Sequence, residues 1–164
     1  MSLRSLLPAL LLSMSVSSLA RAESSKKITW ADVPTQVLRG EKPEASPRVK
    51  LVLLDFWASW CEPCRQSLPF YDELQRKYAA KGVLFIAVSA DEQEKEAREF
   101  LKNVKFSFPA VWDKDRHLVN KLQLQAIPAL VAMKADGEVL GTERGFTVQK
   151  RRALPGKIDA WLAK

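Results

Sequence analysis

The sequence predicts an α/β fold with a central mixed β-sheet and helices on both faces. Three observations predict it. Residues 50–57 and 83–90 are apolar at nearly every position, the pattern of strands buried on both faces. A stretch of helical period lies between them, as in parallel strands joined by a crossover helix. Near the end of the chain, residues 129–134 and 138–143 flank Ala135-Asp136-Gly137 and read as an antiparallel hairpin.

A chain of 164 residues suggests one domain, long enough to bury a core without disulfide staples. Hydrophobic residues at 47% and charged residues at 27% are ordinary for a globular protein. The net charge is +7, but bases and acids are interleaved. No basic stripe with aromatic residues exists, which argues against a nucleic-acid partner.

Residues 1–22 read as an export signal. Arg4 gives a positive start, an apolar run broken by Pro8 and serines follows, and Ala20-Arg21-Ala22 forms a small-x-small cleavage site. The run is shorter than the roughly 20 residues that span a bilayer, which favours cleavage after Ala22 over an uncleaved membrane anchor. Cleavage removes Arg4 and Arg21, so the 26 basic side chains become 24 against 19 acids, a net +5. Residues 23–49 are read as an N-terminal extension and 50–164 as the main domain.

Within the extension, residues 28–30 suggest a short strand. Asp32 is expected to cap a short helix reaching about Leu38, with Pro34 in its first turn. Residues 40–48, with Pro43 and Pro47, read as an exposed loop. After the strand at 50–57, residues 66–80 recur at threes and fours through Leu68, Tyr71, Leu74 and Tyr78. Pro69 is expected to kink that helix and Gly82 to end it. Beyond the strand at 83–90, Asp91 is expected to open an acid-rich helix with Ala97, Phe100 and Leu101 inward. A short strand at 110–112 and a helix at 116–124 follow. Leu154, Ile158, Trp161 and Leu162 form the inner face of a closing helix, with Pro155 near its start.

Both cysteines lie in the turn after the first apolar strand, Cys61 and Cys64. At positions i and i+3 of a helix start they can close a disulfide across one turn. A thiolate there faces unpaired N–H groups and the positive end of the helix dipole. Cys61, at the turn, is expected to be the exposed attacking thiol. Cys64, one turn deeper, is expected to resolve the mixed disulfide. Asp55, an acid in an apolar strand, is the expected proton acceptor, its pKa raised by burial. A zinc site is disfavoured because no second cysteine pair exists and His117 is the only histidine. A purely structural disulfide closing so short a loop offers little stabilisation.

The segment Trp57-Ala58-Ser59-Trp60-Cys61-Glu62-Pro63-Cys64 resembles the active site of the thioredoxin superfamily. With the export signal, the Glu-Pro pair and the segments Ser107-Phe108-Pro109 and Asp136-Gly137, the chain is similar to exported TlpA/ResA-like thiol-disulfide oxidoreductases. The resemblance covers residues 50–145 and implies a thioredoxin-like fold. It implies a cis peptide bond at Ile127-Pro128, beside the cysteines, and a substrate groove that includes Gly145. Trp60, Glu62, Pro63, Ile127, Pro128 and Gly145 become the expected substrate-binding residues. Asp55 matches the buried acid of thioredoxin. Ser67 stands where the branch often has a glutamate, so any acid–base role of that glutamate does not carry over.

The expected function is that of an exported periplasmic protein-disulfide reductase, for example one serving cytochrome c maturation. Alternatives are a protein-disulfide oxidant, a thiol peroxidase or a non-enzymatic peptide-binding module. No cofactor beyond the redox-active Cys61–Cys64 pair and no metal are expected. Expected partners are client proteins with disulfides or thiols and a membrane thiol electron donor, and a monomer is expected.

Overall fold

The structure is a computed structural model and describes residues 27–164. The export signal expected at 1–22 lies outside the described residues. Six strands form one sheet: β1 (Val37–Arg39), β2 (Leu51–Trp57), β3 (Val83–Ser89), β4 (Ala110–Trp112), β5 (Ala129–Lys134) and β6 (Val139–Arg144), in the order β1-β4-β3-β2-β5-β6. Strands β2, β3 and β4 are mutually parallel; β1, at one edge, and β5 are antiparallel to their neighbours, and β6 is antiparallel to β5. The sheet is therefore mixed, as the sequence predicts.

All seven residues of β2 are buried, because strands pair with it on both sides and helices cover both of its faces. Alternation sends Leu51, Leu53 and Trp57 to one face, into a core with Leu68, Tyr71 and Tyr78 of α1 (Glu62–Tyr78), Phe100 and Leu101 of α2 (Glu94–Lys102) and Leu154, Ile158 and Trp161 of α4 (Val148–Leu162). Val52, Leu54 and Phe56 face a second core with Ile28, Val33 and Leu118 and Val119 of α3 (His117–Lys121).

Several local expectations are corrected. No helix spans 32–38. The Asp32 carboxylate accepts from the backbone N–H and hydroxyl of Thr29 at 2.7 and 2.9 Å, closing a 3-10 turn over Trp30–Asp32. The chain then pairs with β4 as edge strand β1. Residues 28–30 make no strand; a single bridge joins Lys27 to Glu138. Gly137 is required there, because a Cβ would sit 1.8 Å from the Ile28 carbonyl oxygen.

The active-site helix starts at Glu62, four residues before the periodic stretch, with Pro63 in its first turn. Gly82 follows its last 3-10 turn with φ +85°. The next helix starts at Glu94, not Asp91. The helix expected at 116–124 is a 3-10 turn, Lys114–Arg116, followed by α3, with Asp115 and Arg116 at positive φ. Buried Asp113 explains the break: its two oxygens accept the Leu118 and Val119 N–H groups, both at 2.9 Å. Helix α4 begins at Val148, capped by Thr147, so Pro155 lies mid-helix rather than near the start.

Asp113→Ala removes both acceptors at the α3 start and is expected to lower stability by about 1–2 kcal/mol. Urea unfolding monitored by far-UV circular dichroism measures this; an unchanged midpoint contradicts the capping role.

Candidate active site

A disulfide joins Cys61 and Cys64. Cys61 is the N-cap residue of α1, and its N–H bonds the Ala58 carbonyl at 3.0 Å. The first turn of α1 thus begins at the disulfide, with its N–H groups and dipole aimed at the Cys61 sulfur. Cys61 is 4% exposed and Cys64 fully buried. The order of accessibility is the expected one, but in the disulfide Cys61 is nearly covered rather than openly exposed. Trp60 beside it is 69% exposed, whereas Trp57 is core and stacks on Phe100 at 4.7 Å between centroids.

The other expected substrate residues converge on the motif through the sheet. In the β2–β5 register Phe56 pairs with Ala129, so Pro128 and Ile127 arrive beside the end of β2. The Ile127-Pro128 peptide is cis, and the Pro128 carbonyl accepts the Gly145 N–H at 2.7 Å. Gly145 has φ +72°, where a side chain would be strained. Glu62 and Pro63 are exposed on the first turn of α1, and Glu62 pairs with Arg65 at 3.3 Å. Ser67 is buried and donates only a long bond, 3.4 Å, to the Cys64 carbonyl.

Asp55 is fully buried, and neither of its oxygens has a hydrogen-bond partner. Its place in β2 turns it to the face carrying α1, and its register neighbours Ala87 and Leu130 have no polar side-chain atoms to offer. Burial raises its pKa to about 8. The Tyr71 phenol is also raised, first by burial and then by the negative charges of Asp55 and Glu143.

Asp91 reads from the sequence as a helix start; the structure places it at the motif. It is buried, and its carboxylate takes four hydrogen bonds: two from the Ser59 N–H, at 2.9 and 3.1 Å, one from the Ser59 hydroxyl at 2.7 Å, and one from the Ser89 hydroxyl at 2.8 Å. It anchors the turn two residues before Cys61 to the end of β3. The available signal is its position: an acid at the carboxyl end of a central strand that is apolar from Val83 to Val88, where α/β sheets build their sites. His117 is a surface residue, remote from the motif and 4.0 Å from Asp32. Among the described residues no cluster of three or more His, Cys, Asp or Glu side chains is placed to hold a metal, and no helix is long and apolar enough to cross a membrane.

Two outcomes follow for the oxidised chain. The folded pKa of Asp55 is above its unfolded value near 3.8, so the native state holds the extra proton between about pH 4 and 8. Wild-type stability therefore falls as pH rises through that window. Asp55→Asn should remove the fall, with a stability advantage that grows from near zero at pH 4 to on the order of 5 kcal/mol above pH 8. Chemical denaturation from pH 4 to 9 measures it; parallel curves for the two proteins contradict it. Asp91→Ala should cost about 2–4 kcal/mol by leaving the Ser59 and Ser89 donors unpaired. A double-mutant cycle with Ser59→Ala, read by thermal unfolding, should show a coupling between the two of at least about 0.5 kcal/mol; strictly additive effects contradict a clamp.

Comparison with known proteins agrees with the geometry. Residues 49–139 match a family model described as Thioredoxin-like. The chain is 36% identical over 123 residues to a thiol-disulfide oxidoreductase ResA of Bacillus cereus, covering 74% of this chain and 70% of the relative. With ResA of Bacillus thuringiensis subsp. konkukian it shares 34% over 109 residues, 66% of this chain and 63% of the relative. A solved structure from Chlorobium tepidum, described as a candidate thiol:disulfide interchange protein DsbE, superposes with TM-score 0.70 at 33% identity, covering 85% of this chain and 99% of that one. StoA of Bacillus subtilis shares the fold, with TM-score 0.62 at 22% identity over 78% of this chain and 93% of that one. The chain belongs to the thioredoxin superfamily, as a thiol-disulfide oxidoreductase of the ResA/TlpA-like branch.

Proposed function

We propose that the protein is an exported, periplasmic protein-disulfide reductase that uses Cys61 as nucleophile and Cys64 as resolving thiol. The observation that carries this reading is the accessibility order of the disulfide at the α1 N-terminus, with Cys61 at the surface end, next to the cis-Pro128 loop. In the reduced protein the Cys61 thiolate attacks one sulfur of a client disulfide. The client's other sulfur leaves as a thiolate and takes a proton from solvent. Cys64 then gives its proton to the Asp55 carboxylate and attacks the Cys61 sulfur. The mixed disulfide breaks, the client leaves with both cysteines reduced, and two electrons have passed to it. Asp55 ends protonated, consistent with the raised pKa in the disulfide form. A membrane thiol donor then reduces the pair, and Asp55 returns the proton to Cys64. No other cofactor takes part.

Glu62 supports the reducing direction, because a negative charge beside Cys61 disfavours its thiolate. The apolar run and cleavage motif at the start of the sequence support export to the periplasm, with the bound client held over Trp60, Pro63, Ile127, Pro128 and Gly145.

Two measurements test the proposal. A redox titration against glutathione should place the pair nearer −270 than −120 mV, the ends of the range of such proteins being about these values; a potential near −120 mV makes the protein an oxidant. Cys64→Ala should accumulate a mixed disulfide through Cys61, seen by mass spectrometry, while Cys61→Ala should accumulate none. The reverse pattern would overturn the assignment of roles.

A further inference from the structure

The corner between β6 and α4 carries a one-signed charge that the fold does not account for. Residues 144–158 contain five cations, Arg144, Lys150, Arg151, Arg152 and Lys157, and the acids at either end of the stretch, Glu143 and Asp159, are paired with Lys157 and Lys81. Four of the six cations on α1 and α2 pair with carboxylates, Arg65 with Glu62, Arg76 with Asp72, Arg98 with Glu94 and Lys102 with Glu99, while among the described residues Lys77 and Lys95 do not. On the corner, only Lys157 does so among the described residues, with Glu143. Lys150 donates to the Arg144 carbonyl, and Arg151 lies over the Phe70 ring at 4.8 Å. Arg144 and Arg152 are exposed and face no carboxylate among the described residues. Helix α4 has no acid in its first turn, and cations at a helix N-terminus oppose the dipole. Helix stability is not what places them there.

This corner is continuous with the Cys61 groove. Pro128 bonds Gly145; Phe146 follows and packs on Phe70 at 5.7 Å; Arg151 covers Phe70. The two large apolar side chains that are exposed among the described residues are Trp60, in the motif, and Val148, the first residue of α4. Trp60 borders Cys61, and Val148 stands three residues past Gly145, on the corner that carries Arg144 and Arg152.

We propose that the β6–α4 corner selects client disulfides whose cysteines are flanked by carboxylate side chains, with Arg144 and Arg152 as the selecting charges. The proposal rests on the reading of the Pro128–Gly145 edge as the client groove. It concerns the charge of the client, not the direction of electron flow. Complementary charge raises encounter rates and fixes register more than it deepens affinity.

The test uses the reduced protein without its export segment and three cyclic disulfide peptides, identical except for Asp, Gln or Lys beside each cysteine. Stopped-flow tryptophan fluorescence gives the second-order rate constants. At low salt the Asp peptide should react about tenfold faster than the Lys peptide. The gap should close in about 0.5 M salt, where charge is screened within a few ångströms. Arg152→Glu and, separately, Arg144→Glu should each shrink or invert the ratio. Arg152→Lys should preserve it. Lys42→Glu, in the loop after β1 at the opposite edge of the sheet, makes the same change in net charge and should leave the ratio as in wild type. Equal rates for the Asp and Lys peptides, a ratio untouched by both arginine reversals, or a ratio equally altered by Lys42→Glu would overturn the proposal. Absence of exchange with all three peptides overturns the redox reading beneath it, and the proposal with it.

Discussion

The pairing of β2 between β3 and β5 is the constraint on which the rest of the site depends. One register sets Trp57 opposite Ser89, and the other sets Phe56 opposite Ala129. The strand therefore ends between two loops that its neighbours deliver. On one side the Ala90 N–H bonds the Trp57 carbonyl at 2.7 Å, and Asp91 reaches Ser59. On the other side lies cis-Pro128. A slip of one residue would exchange the faces of β2, turning Asp55 toward α3 and Phe56 toward the active-site helix. The apolar side chains buried on both faces hold the register against that slip.

The same pairing gives two aspartates opposite fates. Asp91 lies just past the end of β3, where the turn before Cys61 offers a backbone N–H and a hydroxyl. Its oxygens are committed to fixed donors, which suits it to hold geometry. Asp55 lies inside β2, where backbone N–H groups are taken by the sheet and its register neighbours are Ala87 and Leu130. Its oxygens have no fixed partner, so a proton can be added or removed without breaking a hydrogen bond. The fold accepts a destabilising buried acid inside β2 and keeps a fully satisfied one beneath the turn.

The parts of this arrangement that are legible in the sequence are those written in local pattern. The apolar runs of β2 and β3, the hairpin with its Asp-Gly turn, and the cysteine spacing each fit within a few residues, and the structure has them within a residue or two. Asp55 stands out because an acid interrupts an apolar strand. Ile127-Pro128 and Gly145 can be placed only through family resemblance, since nothing local marks them. The elements that depart from the sequence reading depend on distant partners. Val37–Arg39 is a strand because β4, far later in the chain, offers it an edge. Asp91 has the look of a helix opener, but its donors come from Ser59 and Ser89. Asp113 fixes the start of α3 from outside it, so the apolar period of 116–124 extends the expected helix too far in both directions.

Helix α2 and the corner at α4 give the motif two unlike flanks. Phe100 of α2 stacks on Trp57 on one side, and the Arg65 guanidinium lies over its ring at 4.6 Å. This flank forms an open cleft of about 480 Å³ that holds Arg65 and Lys95 together with Glu96 and Glu99. Its charge is balanced, so it attracts neither sign of client strongly. The other flank, past Pro128 and Gly145, carries one acid, Glu143, paired with Lys157, and an excess of cations. On the client groove proposed above, a segment lying across Cys61 would run from a charge-balanced flank to a basic one. Backbone pairing at a cis-proline loop can accept many sequences, because main-chain groups are common to all of them. On that proposed groove, the basic flank is what would distinguish the two ends of a bound segment.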